Sequence, residues 1–139
     1  MASEVLDWAP DPTWIARHAP WIERTVTGAG CRLHRLEYTF CTDDELLVIN
    51  REYLDHDTLT DIITFDYCEP PLVEGEIFIS LDRVRDNAAE LGETPARELA
   101  RVVIHGVLHL CGQGDKTPAE AAEMRRREEA ALTDWMKLA

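Results

Sequence analysis

The sequence lacks any run of apolar residues long enough to cross a membrane, and its N-terminus has no basic start followed by an apolar core. A membrane-spanning helix needs about 20 consecutive, predominantly apolar residues, and a secretory signal needs both of those N-terminal features. We therefore expect a cytoplasmic protein with no membrane association. The sequence also lacks repeats, low-complexity tracts and flexible linkers, so residues 1–139 are predicted to form a single domain.

Basic residues are scarce, because 14 lysines and arginines stand against 27 aspartates and glutamates, a formal net charge of −13. Nucleic-acid-binding proteins usually carry a basic patch, since contacts to phosphate dominate their affinity. The composition therefore argues against unaided binding of RNA or DNA. Two arrangements would remove this objection: basic residues that cluster, as at Arg97 and Arg101 or at residues 125–127, or a partner that presents the nucleic acid.

Cysteine is also sparse, and the four cysteines form no CxxC pair. They stand at Cys31, Cys41, Cys68 and Cys111. In a reducing cytosol we interpret them as buried thiols. Cys111 lies two residues after His109, so on a helix it points away from the face that carries that histidine, and we do not expect it to ligate a metal.

The remaining composition is that of a globular protein, 45% hydrophobic and 29% charged, long enough to bury a sizeable core. Apolar alternation and β-branched runs predict strands at 3–8, 33–41, 62–65 (a candidate for the centre of the sheet) and 75–80. Apolar residues at helical spacing and capping residues predict helices that begin near Asp11-Pro12, Thr42, Leu81, Thr94-Pro95 and Thr117-Pro118. Pro20 is expected to kink or split the first of these helices. The order of elements predicts an α+β domain in which about five helices pack on a small mixed sheet of about four strands.

The strongest chemical pattern is HGVLHLCGQGD, at residues 105–115. His105 and His109 are four apart, so on a helix their imidazoles share one face. Gly112 suits the end of that helix, where a positive φ is common, and a short turn then brings Asp115 back. Two imidazoles and a carboxylate around one point would make a three-ligand zinc site with an open fourth position, which is typical of catalytic zinc.

The spacing of this pattern is that of the long zincin motif of zinc peptidases. Two histidines four apart are often simply solvated, but the turn glycine and the third ligand favour a metal site. Position 106, however, is Gly, where a zinc peptidase needs the Glu that acts as its general base. A zinc peptidase is therefore the less favoured hypothesis, and the pattern favours a different kind of metal hydrolase.

Four segments of the chain, IHGVLHLCG, INREYLDHDTLTDIITF, GEIFIS and AAEMRRREEAAL, resemble the YbeY endoribonuclease family over roughly residues 38–132. The resemblance implies an α+β fold with a single zinc ion at the mouth of a cleft. It also implies cleavage of ribosomal RNA, especially at the 3′ end of the small-subunit RNA, in ribosome maturation and quality control. The implied partners are ribosomal RNA and the small ribosomal subunit.

Two positions depart from the family pattern. Asp115 stands where the family has a third histidine, and Leu54 stands where it has an arginine. Aspartate can ligate zinc, so His105, His109 and Asp115 are the predicted ligands of one Zn²⁺ per chain, although nickel, cobalt or manganese would also suit them. The missing arginine removes a cation expected near the scissile phosphate. It favours the alternative of a non-catalytic ribosome-assembly factor in which the metal only joins a helix to a loop.

Phosphodiester cleavage needs a deprotonated nucleophile, charge relief on the phosphoryl oxygens and help for the leaving group. Zinc can lower the pKa of its bound water to about 7 and polarise the phosphate. The resemblance makes His56 a candidate general base, while an exposed loop histidine is the equal alternative. Glu128 is either a hydrogen-bond partner of a ligating histidine or a solvated acid. Asp61 is expected to serve only the turn before its strand.

Overall fold

The computed structural model describes residues 10, 13–54 and 60–138. The helices in these ranges are α1 (Trp14–Gly28), α2 (Asp43–Leu54), α3 (Leu81–Leu91), α4 (Pro95–Leu110) and α5 (Pro118–Trp135), followed by a 3-10 turn at Met136–Leu138. The strands are β1 (Arg32–Cys41), β2 (Ile62–Asp66) and β3 (Leu72–Ser80). The predicted α+β architecture with five helices is therefore confirmed. In these described ranges, no helix combines the length and apolarity needed to span a bilayer.

The three described strands form one mixed sheet in the order β1-β3-β2. β1 pairs in parallel with β3, and β2 pairs with it in antiparallel fashion. The prediction that 62–65 is the central strand is wrong, because β2 lies at an edge of the described sheet. Its β-branched residues reflect the burial of one face rather than a central position. The described sheet has three strands rather than four, and the candidate strand at 3–8 lies outside the described residues.

The predicted helix ends are formed by local hydrogen bonds. Thr42 and Glu45 make the expected capping box, with the Glu45 N–H donating to Thr42 Oγ1 over 3.2 Å and the Thr42 N–H to Glu45 Oε1 over 2.8 Å. Thr117 and Glu120 make a second box at the start of α5. Gly92 ends α3 in the left-handed conformation, with φ of 69°. The two capping boxes confirm the predicted helix starts, and all three features depend only on residues close together in the chain.

α1 runs through Pro20 without a break, so the predicted split does not occur. Proline removes one backbone donor and crowds the preceding turn, a cost of roughly 3 kcal/mol in a helix interior. Packing of the residues that follow Pro20 offsets this cost: Trp21 and Ile22 are buried, and the Trp21 indole N–H donates to the Ala131 carbonyl of α5 over 2.8 Å. Tertiary contact therefore overrides the local preference.

α4 is the central helix of the described fold. It packs against α1, α3, α5 and the strands β2 and β3, and ten of its sixteen residues are buried. Leu99, Val102 and Val103 anchor it in the core and are at most 1% exposed. Because α4 also carries the histidine motif, its burial fixes the backbone of the candidate site.

Two glycines allow α4 and the sheet strands to approach closely. A Cβ added at Gly106 of α4 would lie 2.6 Å from Ile62 Cδ1 and 3.2 Å from Thr64 Cγ2. A Cβ added at Gly75 of β3 would overlap the Phe65 carbonyl oxygen and lie 3.3 Å from both methyl carbons of Leu110. Real Cβ atoms do not approach other heavy atoms so closely, so the helix-to-sheet spacing depends on these two positions.

His18 is a buried polar residue between α1 and the C-terminal end of α5. Its Nδ1 is 2.8 Å from the Trp14 carbonyl oxygen, and the Trp135 indole N–H donates to its Nε2 over 3.2 Å. Since an indole N–H can only donate, Nε2 is an acceptor and the proton of the neutral ring is on Nδ1. Burial lowers the pKa of His18, and the nearby Arg17 charge acts in the same direction, while the bond to the Trp14 carbonyl opposes the shift.

We expect Gly75→Ala to lower the free energy of unfolding by about 1–3 kcal/mol, because the new methyl group overlaps a backbone carbonyl that cannot rotate away. Gly28→Ala is the control, since nothing lies within 4 Å of an added Cβ at this exposed helical position. It should raise stability by about 0.5–1 kcal/mol. Urea unfolding of both variants measures the difference. Equal midpoints would contradict the close approach at Gly75.

We expect the contribution of His18 to the free energy of unfolding to fall as the pH is lowered through about 6.5. The pKa of His18 is lower in the folded protein than in the unfolded chain, so the unfolded chain takes up the proton first. The contribution is complete above pH 6.5 and is lost as the pH falls toward the folded pKa. Urea unfolding on both sides of pH 6.5 should show that the free-energy difference between the wild type and His18→Gln shrinks as the pH falls. A difference that stays the same across this pH range would rule out the contribution of His18.

Candidate metal centre

His105 is the half-buried centre of the site, and two carboxylates flank its ring. Its Nδ1 is 2.6 Å from Oε2 of Glu128, which is 2% exposed, and its Nε2 is 3.4 Å from Oδ2 of Asp115. Since a carboxylate only accepts, the Nδ1–H of His105 donates to Glu128 and Nε2 is directed toward Asp115. Of the two possibilities for Glu128, the hydrogen-bond partner is therefore confirmed.

The surroundings of His105 favour positive charge on its ring. The hydrogen bond to Glu128 is the main influence that raises the pKa of His105; burial opposes it, and the charges of Glu128, Asp115 and Asp61 act in the same raising direction. A position where three carboxylates stabilise a proton also attracts a metal cation. The electrostatics of this site therefore favour positive charge, as a bound metal would require.

A buried ionic chain holds Glu128 in place. Nη1 of Arg101 lies 3.3 Å from Glu128 Oε1, and the same guanidinium makes two bonds to Glu98, of 2.9 and 2.6 Å. Glu98 is 1% exposed, and burying unpaired charges of this kind would cost several kcal/mol each. Hydrogen bonds and the charges of these two acids raise the pKa of Arg101. Arg101 thus pairs with both buried carboxylates, while Glu128 orients His105.

His109 lies one turn beyond His105 on α4, and its side chain is exposed. Its charge acts on Asp66 at the end of β2, where burial raises the pKa of the aspartate and His109 opposes the rise. Among the described residues, no three His, Cys, Asp or Glu side chains are grouped so as to hold a metal ion. The structure thus brings His105 and Asp115 together and leaves His109 exposed beside Asp66. His56 lies outside the described residues.

The packing around position 106 explains why this position does not carry the glutamate that acts as general base in zinc peptidases. Gly106 faces Ile62 and Thr64 of β2, and even a methyl group there would meet them. A glutamate at this position would have to enter the contact between α4 and the sheet, where its charge would be buried without a partner. The close helix-to-sheet packing therefore excludes the zinc-peptidase arrangement at this position.

Two acids near His105, Asp61 and Glu98, were not predicted from the sequence to belong to the site. Asp61 does serve the strand entry, since its carbonyl accepts the Ser80 N–H over 3.0 Å, but its half-buried carboxylate also interacts with Arg101 and His105. Burial raises the pKa of Asp61, and those two cations oppose the rise. Glu98 was detectable, because Glu98, Arg101 and His105 follow one another at spacings of three and four, which places them on one helix face.

The arginines singled out as possible basic clusters are paired with acids. Arg97 lies 3.5 Å from Glu93 and 3.2 Å from Glu129, and both Arg126 and Arg127 bond Glu123. Leu54, which replaces the family arginine, is 40% exposed at the end of α2.

Cys111 follows the prediction that it points away from the histidines, because its thiol interacts with that of Cys31.

Comparison with known proteins supports the resemblance noted in the sequence. The family model described as endoribonuclease YbeY matches residues 14–136. A Phocaeicola vulgatus protein named endoribonuclease YbeY is 51% identical over 112 residues, which are 81% of this chain and 81% of that protein. A Bacteroides thetaiotaomicron protein of the same name is 49% identical over 112 residues, 81% of this chain and 82% of its own length.

The fold is also similar to a solution structure of a Thermotoga maritima protein. The two chains are 28% identical and superpose with a TM-score of 0.65, over 88% of this chain and 84% of the other. The match of the family model to nearly the whole described chain, together with relatives at about half identity, assigns the family. This chain belongs to the endoribonuclease YbeY family.

Proposed function

We propose that this protein is a zinc-dependent endoribonuclease that acts on ribosomal RNA, at the 3′ end of the small-subunit RNA, in ribosome maturation and quality control. Membership of the family and the name of its relatives support an RNA-cleaving hydrolase. The observation that carries the proposal is the His105 ring. Its Nδ1 is bonded to the buried Glu128, and its Nε2 is directed at Asp115.

His105, His109 and Asp115 fit zinc in their donor chemistry, with two imidazole nitrogens and one carboxylate oxygen. The bond from His105 to Glu128 is of the kind that orients metal-ligating histidines, which usually donate their second ring N–H to a carboxylate. Joint ligation requires the side chains of His109 and Asp115 to turn toward His105 Nε2. Both side chains are exposed, so burial does not restrain this rotation.

Bound zinc would supply a Lewis acid for the phosphoryl oxygens and a more acidic water. The chain's own residues supply orientation and charge. Glu128 fixes the tautomer of His105, Arg101 holds Glu128 in place, and the buried α4 holds both histidines on a rigid backbone. His56 remains the predicted general base.

The charge of the chain supports a role for the small ribosomal subunit as partner. The protein has a net charge of −13. Four of its arginines, Arg97, Arg101, Arg126 and Arg127, are paired with acids and so offer little free positive charge to RNA phosphates. A partner that already holds the RNA would present it to the site and make strong unaided binding unnecessary.

A non-catalytic ribosome-assembly factor is the second candidate function. Leu54 provides no cation at the end of α2, where the family pattern has an arginine. Arg101 does not replace it, because Glu98 and Glu128 already neutralise its guanidinium. Under this second hypothesis the protein would bind the subunit without cleaving its RNA.

We expect zinc-loaded protein to cleave a fragment of the small-subunit RNA, free or within the subunit, and His109→Ala to reduce the rate by more than about 100-fold, the upper end of the loss caused by removing a second-shell partner. His34→Ala is the matched control, because His34 is exposed on β1 and pairs only loosely with Glu74, at 3.7 Å. Gel analysis of the RNA products measures both rates. Binding to the subunit without cleavage by the wild type would favour the assembly factor.

We expect Glu128→Gln to weaken zinc binding by about 10–100-fold, because the amide cannot hold the Nδ1–H of His105 as a carboxylate does. Glu129→Gln is the control, since this neighbouring acid pairs with Arg97 and is half exposed. Competition with a chromophoric zinc chelator compares the affinities, and elemental analysis gives the metal content per chain. Unchanged affinity in Glu128→Gln would show that this carboxylate does not support the metal.

A further inference from the structure

Two half-buried thiols meet beside the C-terminal end of α4. Cys31 follows α1, and Cys111 is the residue at which α4 ends. Cys31 Sγ lies 3.6 Å from the Cys111 carbonyl oxygen and 3.8 Å from that of Ala29, and the two thiols interact with each other. They are 80 residues apart in the chain, so the pair is formed by the tertiary structure alone.

The backbone holds both cysteines in place. The N–H of Cys111 donates to the Val107 and Leu108 carbonyls over 3.1 and 3.0 Å, and the N–H of Cys31 donates to the Val26 carbonyl over 3.1 Å. The other two cysteines are located elsewhere: the Cys41 thiol donates to the Ile79 carbonyl and the Cys68 thiol to Glu74. Cys31 and Cys111 are thus the pair that the fold keeps in contact.

A cavity of about 320 Å³ between α1 and α5 adjoins this pair. Ala29, whose carbonyl contacts the Cys31 thiol, and Leu108, whose carbonyl accepts the Cys111 N–H, both line it. Burial and the neighbouring Cys31 raise the pKa of the Cys111 thiol to about 12, and the charge of Arg127, which also lines the cavity, opposes this rise. Neither cysteine lines the cavity itself, so access of a small oxidant to the pair rests on the partial exposure of both residues.

We propose that Cys31 and Cys111 form a reversible oxidation site, which a small disulfide such as oxidised glutathione converts into an intramolecular disulfide. The Cys31 sulfur, on losing its proton, attacks one sulfur of the oxidant, breaks its S–S bond and releases one thiol. The Cys111 sulfur then loses its proton and attacks the Cys31 sulfur of the mixed disulfide, which releases the second thiol. The protein loses two electrons and two protons, and the oxidant is reduced to two thiols.

The site requires neither a metal nor RNA, so the proposal stands apart from the proposed function. The reduced, folded full-length protein is treated with oxidised glutathione, and its intact mass and non-reducing peptide map are recorded. We expect a species lighter by two hydrogens, with Cys31 linked to Cys111, that dithiothreitol restores to the starting mass. This species should be lost in Cys31→Ser and in Cys111→Ser, and each variant should retain glutathione on its remaining cysteine of the pair. Cys68→Ser is the control and should still form the disulfide.

Peptide mapping of the wild type keeps the test decisive even if a serine variant fails to fold. A linkage that joins other cysteines, a wild type that carries only glutathione adducts, or a wild type that does not react would each overturn the proposal.

Discussion

The hydrogen bond between His105 and Glu128 is the interaction on which the candidate site depends. It joins α4 to α5, sets the tautomer of the ring and directs Nε2 outward. The buried Glu128 is paired with Arg101, and Arg101 is in turn held by Glu98. Apolar residues of similar volume would often stabilise a core as well or better. The ion pairs of Glu98, Arg101 and Glu128 are therefore better explained by the orientation that they give His105 than by a gain in stability.

The sheet contact of α4 imposes a second constraint on the chemistry. At Gly106 and Gly75 the neighbouring atoms lie so close to the backbone that no larger side chain fits at either position. The same closeness that makes α4 rigid removes the space for a glutamate beside His105, and with it the usual base of a zinc peptidase. Packing therefore limits which hydrolase chemistry the histidine pair can serve. Under the proposed function, the acidic composition favours an RNA that is presented by a partner.

Local features were predictable because each depends on residues a few positions apart. The capping boxes at Thr42 and Thr117, the left-handed Gly92 and the burial of the apolar face of α4 all follow from short-range hydrogen bonds and helical period. The histidine motif and the family resemblance are likewise properties of short segments, and the comparisons confirm the family. The ligand set itself stays a prediction.

The sequence by itself determined the α+β class, the helix ends and the shared face of His105 and His109. The tertiary structure alone decided that β3 lies between β1 and β2, that Glu128 meets His105 across 23 residues of chain, that Asp61 joins this site, and that Cys31 reaches Cys111. The physical reason is how far apart in the sequence the contacting residues lie. A cap or a helical face is specified by neighbours along the chain, whereas these contacts form only when several helices and the sheet bury their apolar surfaces together.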